Sequence, residues 1–310
     1  MGKKVTIRDV AKEAGVSVAT VSYIMNDRKD VKISSETRKK VLQIANLLDY
    51  TPSSTAKSLA TGRSNTIGFE EAFLSDLGQR SNTIGVSYHL SSNAPSRNLE
   101  ITDFVNLLIE RLNRMHYDIL FLPFHPDEDN PPIRQNIDGI IAIDLSSDEF
   151  RKFADNYLVP IIAVDMILHD NLFYQVYTNL PSAIERYMTR IPDSLLVLEP
   201  FRNEQYMDYI VSTVKPERLC VLSDCHSGTL RSLQGRKLLV IGSYLALMIR
   251  PYVSEADMAV ITSSTYSHIL PVSTDILEHD TSKKANVAIN LLLNAIDRKF
   301  DVNHTYELDL

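Results

Sequence analysis

The chain of 310 residues has only two cysteines, Cys220 and Cys225, and their spacing matches no common zinc pattern. They flank an expected strand, so buried free thiols in a reducing cytoplasm are expected. No run approaches the roughly 18 apolar residues of a membrane span. The start, MGKKVTIRD, carries charge but lacks the apolar stretch of a secretory signal. A soluble cytoplasmic protein without membrane contact is the resulting expectation. Nucleotide and catalytic signatures are missing as well: there is no G-x-G-x-x-G after a strand, no G-x-x-x-x-G-K-[ST], no H-E-x-x-H and no G-x-S-x-G. Asp224, His226 and Ser227 lie close in sequence, but a triad is defined by geometry, and polar residues after a strand usually form a loop. His116, His125, His169 and His268 are scattered, without ligand spacing. These absences argue against an enzyme and against any cofactor or metal.

What is present is a lopsided charge. Residues 1–63 contain 12 Lys and Arg against 6 Asp and Glu, a net +6, which leaves 20 against 33, or −13, for the remainder. A basic head on an acidic body suits a nucleic-acid reader whose second domain stays off the phosphates. The length allows one small and one large domain.

The stretch TIRDVAKEAGVSVATVSYIMN, Thr6 to Asn26, places its apolar and turn residues where two short crossed helices need them. Thr6 is a good N-cap, and Asp9 puts negative charge in the first turn of a helix over about 7–14. Gly15 supplies the permissive turn, and Ser17 can cap a second helix reaching about Met25. Val10, Ala11, Ala14, Val16, Val21 and Ile24 can close over a small core. The outer face of the second helix then carries Val18, Ala19, Thr20, Ser22, Tyr23 and Asn26, a short hydroxyl-rich surface that can approach a duplex. Periodicity alone fits a helical hairpin with a polar surface equally well.

The residue identities separate these readings. The pattern DVAxxAGVSxxTVSxxxN strongly resembles the amino-terminal signature of the LacI/GalR family of bacterial transcription regulators. The resemblance implies that Val18, Ala19 and Tyr23 read bases and that Ser17, Thr20, Ser22 and Asn26 hold phosphates; Thr6, at the start of the first helix, is a further phosphate candidate. An arginine is frequent in the family where Tyr23 stands; tyrosine offers one hydroxyl and a ring instead of a bidentate guanine contact. A third helix, with Ser34 as N-cap and Val41, Ile44, Ala45 and Leu48 as its apolar stripe, closes the head. Ser34, Thr37 and Arg38 crowd its first turn and suit either a phosphate or ordinary capping. YTPSSTAKSLATG then resembles the family's hinge, which becomes a helix when two copies meet in the minor groove. By that resemblance Leu59 wedges into a base step and Ala56 lets the two helices pack closely.

RSNTIG at 63–68 recurs at 80–85, a local duplication around the insert FEEAFLSDLGQ. The second copy is the favoured start of the body, because the segment 83–88 is followed by a loop and a helix with the stripe Ile101, Phe104, Val105, Leu108 and Leu112. Strands and helices alternate from there. Strands are expected at 119–123, 139–143, 160–165, 195–198, 219–222, 238–241 and 258–261. IDGIIAI and VPIIAVD resemble the family's regulatory domain, itself similar to periplasmic sugar-binding proteins, with an effector in the cleft between two lobes.

The expected architecture is thus an all-α helix-turn-helix DNA-binding domain (1–50), a hinge (51–63), an insert or duplicated linker (64–82) and an α/β body of two doubly wound lobes (83–310). The first lobe is expected to cover about 83–188 plus 272–298, the second about 192–265 plus 303–310. At the cleft the chain departs from its relatives by losing charge: Gly242 and Ser243 replace an Asn-Asp pair, Gln205 replaces an arginine, and Thr262, Ser263 and Ser264 replace Gly-Phe-Asp. Gln205, Tyr206, Ser243, Tyr244 and Thr262 are the candidate cleft residues. A sugar grip through charged hydrogen bonds is not expected, which leaves another small-molecule effector, a protein partner or no effector. The implied function is a homodimeric transcription regulator, a repressor, on a pseudo-palindromic double-stranded DNA operator. The alternative is a sensor or protein-interaction module with a vestigial head and no sugar effector.

Overall fold

The computed structural model describes residues 5–25, 31, 33–48, 50, 81–122, 137–170, 172–223, 227–299 and 303–310. The head is α1 (Ile7–Ala14), α2 (Val18–Met25) and α3 (Ser35–Leu47). The residues expected to face inward do so: Val10, Ala11, Ala14, Val21, Ile24, Val41, Ile44 and Ala45 form one buried cluster, with Val16 and Leu48 at its margin. Gly15 ends α1 at φ 67°, and the Val16 amide reaches back 3.0 Å to the Ala11 carbonyl. That left-handed residue turns the chain from one helix into the next.

The body holds two parallel sheets. The first lobe is built on β1 (Thr83–Tyr88), β2 (Asp118–Phe121), β3 (Gly139–Ile143), β4 (Ile161–Val164), β5 (Tyr174–Thr178) and, from the chain end, β11 (Thr305–Leu308), ordered β11-β5-β4-β3-β1-β2. α4 (Pro95–Arg114) and α10 (Thr281–Ile296) cover one face, and α5 (Ser147–Ala154) packs on the other. The second lobe is ordered β10-β9-β8-β6-β7, made of β6 (Leu195–Leu198), β7 (Leu219–Val221), β8 (Leu238–Ile241), β9 (Met258–Ser263) and β10 (Asp275–His279). α6 (Leu180–Arg190) and α7 (Glu204–Val211) cover one of its faces, α8 (Ser227–Arg231) and α9 (Ser243–Ile249) the other. Central strands such as GIIAI and LLVI are apolar throughout because both faces are covered.

The lobe boundaries differ from the expectation in two places: α6, mostly within the 83–188 expected for the first lobe, packs on the second-lobe sheet, and the carboxyl end is divided differently. The segment 303–310 does not join the second lobe: Thr305–Leu308 runs parallel to Tyr174–Thr178 on the edge of the first-lobe sheet. Within 272–298, Asp275–His279 pairs with β9 of the second lobe, and only the helix that follows returns to the first. Hydrophobic pattern places a strand but does not choose its sheet; the unpaired edge of β5 chooses β11.

Candidate nucleic-acid interface and inter-lobe cleft

Two helix starts in the head share one local design. The Ser17 hydroxyl accepts the Thr20 amide at 3.0 Å, and the two hydroxyls lie 2.9 Å apart. Ser34 accepts the Thr37 amide at 3.1 Å, with those hydroxyls 2.8 Å apart. Each Ser-x-x-Thr cap thus sets a pair of hydroxyls at the positive end of a helix, where a phosphate is favoured. Thr6 differs: its amide and hydroxyl both donate to Asp9 Oδ2, at 2.8 and 2.6 Å. Val18, Ala19 and Tyr23 are exposed on α2, while Thr20 and Ser22 are half-buried beside them. Arg38 is on the first turn of α3. Asn26, Ala56 and Leu59 lie outside the described residues, as does the first RSNTIG copy.

The head also touches the body. Gln43 of α3 donates to the carbonyls of Ala154 and Tyr157 at 3.4 and 2.9 Å, and Lys39 pairs with Asp155 at 3.3 Å. These groups lie at the carboxyl end of α5, where helical carbonyls lack partners of their own. An open groove of about 480 Å³ beside this contact is lined by Glu13, Lys40, His169, Asp170, Tyr174 and His304.

The cleft holds charge, contributed by residues other than the expected ones. Arg97, in the first turn of α4, is buried, and its guanidinium spans three carboxylates: Nε to Asp144 at 3.0 Å, Nη2 to Asp165 at 2.7 Å and Nη1 to Glu100 at 3.0 Å. Its flat face lies 4.1 Å from the Phe201 ring centroid. Lys284 of α10 adds 2.8 and 3.1 Å contacts to Asp165. Burial alone would raise Asp165, but Lys284 and Arg97 outweigh it and hold the carboxyl well below its ordinary range. Burial lifts Asp144 and Glu100 instead, against the pull of Arg97.

The bonds across the cleft run from lobe to lobe. The amide of Arg97 donates to Glu199, just past β6, at 2.9 Å. Asp144 accepts the Arg202 and Asn203 amides at 2.9 and 3.3 Å. Both the amide and the hydroxyl of Ser147 donate to Glu204 at 3.0 Å, and that hydroxyl also bonds Gln205. Arg202 pairs with Glu149, and the Leu245 amide donates to Ser96 at 3.2 Å. Gly242, at φ 103°, lies so close to Ser96 that an added Cβ would be 2.2 Å from its hydroxyl.

Of the candidate cleft residues, Gln205 is therefore used on α5. Tyr206 is buried among Tyr177, Phe201 and Tyr209, with its hydroxyl on the Thr178 carbonyl at 2.9 Å. Ser243 and Thr262 are buried, and Tyr244 is exposed on α9. The residues missed in the sequence are Arg97, Asp144, Asp165, Glu199 and Lys284. Two had a signal: Asp144 and Asp165 each follow an apolar strand, at the carboxyl end where doubly wound folds place ligands.

Residues 6–53 match the model of the bacterial regulatory proteins, lacI family. The catabolite control protein A of Streptococcus mutans is 35% identical over 129 residues, 40% of this chain and 38% of the relative. The sucrose operon repressor of Klebsiella pneumoniae is 51% identical over 67 residues, 21% of this chain and 20% of the relative. The chain thus spans less than half the length of either curated relative. The lac repressor dimer bound to operator and the anti-inducer ONPF is similar in fold, with a TM-score of 0.51 and 17% identity over 99% of this chain and 97% of that one. No helix among the described residues is long and apolar enough to cross a membrane. Residues 6–53 are thus a head of the lacI family of bacterial regulatory proteins, and the body has the two-lobed fold seen in the lac repressor structure.

Proposed function

We propose that the chain is a sequence-specific transcription regulator of the cytoplasm, a repressor and not an enzyme, that binds a pseudo-palindromic DNA operator as a homodimer. The observation that carries this reading is the α2 face: Val18, Ala19 and Tyr23 are exposed beside two Ser-x-x-Thr caps that offer hydroxyl pairs at helix starts. In this reading Val18, Ala19 and Tyr23 meet base edges, and Thr6, Ser17, Thr20, Ser22, Asn26, Ser34, Thr37 and Arg38 hold phosphates. Residues 1–50 form the reading head. Residues 51–63 form the hinge, with Ala56 and Leu59 in the minor groove; 64–82 are an insert or duplicated linker, and the body from 83 onward dimerises. The similarity in fold to a repressor dimer seen on its operator supports the assembly.

Selection of random duplexes by gel shift tests the reading. Enrichment of a two-fold symmetric sequence over bulk DNA at physiological salt is the expected result. The absence of any enriched sequence would leave the vestigial-head alternative.

A further inference from the structure

We infer that Arg97 is a built-in ligand of the inter-lobe cleft, so that the body is held shut by its own side chains and takes no sugar. The geometry supports this at four points. Strand-end acids Asp144 and Asp165 of the first lobe would offer paired oxygens to a ligand's donors; here they grip the Arg97 guanidinium, 3.0 and 2.7 Å away. The first turns of α4 and α5, with unpaired amides aimed at the second lobe, would accept a ligand's oxygens. They instead receive Glu199 and Glu204, carboxylates of that lobe. The first turn of α9 receives Ser96 from the opposite side. An aromatic platform of the kind that stacks on a planar ligand, Phe201, carries the guanidinium.

The sequence context agrees with this assignment. A cation in the first turn of a helix is unfavourable against the helix dipole, and burying it is costly unless every donor is matched. Arg97 meets both conditions adversely in isolation and becomes stable only because acids surround its head group. Gly242 adds to the close fit, since a Cβ there would lie 2.2 Å from the Ser96 hydroxyl and displace it from the α9 amide it now meets. The inference goes beyond the proposed DNA reading, and its test reads the body alone and needs no operator.

The experiment uses the full chain without its two cysteines, carrying spin labels at exposed Asp148 on α5 and Asp208 on α7 and diluted with unlabelled chain. A single label separation, unchanged by millimolar sugars and sugar phosphates, is expected. Two separations without ligand, or a shift on adding any sugar, would overturn the inference. In the Arg97→Ala variant the separation should lengthen or broaden and Tm should fall by about 10 °C. Millimolar n-propylguanidinium, the fragment removed, should restore both in the variant and leave the original chain unmoved. A variant with unchanged separation and Tm, or one that n-propylguanidinium does not restore, would also overturn it. If the variant does not fold, the sugar titration of the original chain decides alone.

Discussion

Tyr23 and Thr20 are neighbours on α2 with different exposures and different tasks. Tyr23→Arg should change base preference at one or two positions of each half-site by about 1 to 3 kcal/mol, because a bidentate guanine contact is added. Thr20→Ala should weaken all sequences alike, since it removes a hydroxyl held 2.9 Å from Ser17 and proposed to hold a phosphate. Binding measured across a library of single-base operator variants distinguishes the two; equal shifts in base preference would refute the division between reading and positioning residues. A second residue sets a pH dependence. His279, at the end of β10, has its pKa lowered from 6.5 to about 3: burial disfavours the imidazolium, and Lys284 and Arg97 add repulsion against the pull of Asp165. The unfolded chain therefore binds the extra proton between these values. Stability is fully present above about pH 6.5 and declines toward about pH 3, by at most about 1.4 kcal/mol per pH unit. Asp165, held below its ordinary range, adds a loss in the same direction below about pH 4. His279→Asn should flatten the urea-unfolding profile between about pH 4.5 and 6.5; an identical slope would mean that another group governs that range. Neither His279 nor Arg97 announced itself in the sequence. Arg97 stands in an ordinary amphipathic pattern, and its role depends on carboxylates 47 and 68 positions away.

Local chemistry made the head elements legible: Gly15, the Ser17 and Ser34 caps and the apolar stripes set α1, α2 and α3 within a residue or two of where they lie. Gly15→Ala tests the turn. Nothing approaches an added Cβ there, so the cost is the backbone strain of φ 67°, about 1 to 2 kcal/mol. Chemical denaturation of the chain, followed by a probe in the head, should record a loss of that size without altered base preference; a neutral substitution would show that the left-handed turn is not demanded. The central strands were legible for a related reason, since continuous apolar runs need no partner to be recognised. Three edge or polar strands were not. YQVYT of β5 mixes Gln and Tyr into buried positions and depends on the Gln175 side chain accepting the Leu168 amide at 2.7 Å. DILEH of β10 and TYEL of β11 alternate with charged residues along sheet edges. Their strand form is supplied by tertiary pairing more than by propensity. The cleft was only partly legible for the same kind of reason: the positions compared with relatives' sites lack charge, while the charges that fill the space come from other elements.

Over the whole molecule, the +6 of residues 1–63 set against the −13 of the remainder predicts a steep salt dependence. With roughly 6 to 10 phosphates neutralised by a pair of heads, operator affinity should fall by about 10³ to 10⁵ between about 50 and 200 mM salt. Equilibrium titrations by fluorescence anisotropy across that range give the slope, and a near-flat plot would mean that the basic head does not sit on the backbone. One short helix joins this electrostatic end of the molecule to the cleft. α5 has eight residues and is about 12 Å long. Glu204 and Arg202 of the second lobe hold its first turn, and Gln43 and Lys39 of the head hold its last turn and the residues just beyond. A hydrogen-bonded helix of that length is stiff, and this one has partners from a different part of the molecule at each end. Its buried Phe150, Phe153 and Ala154 bed it in the first-lobe core between those two ends. The seat of α3 and one wall of the cleft are thus opposite ends of a single helix, about 12 Å apart.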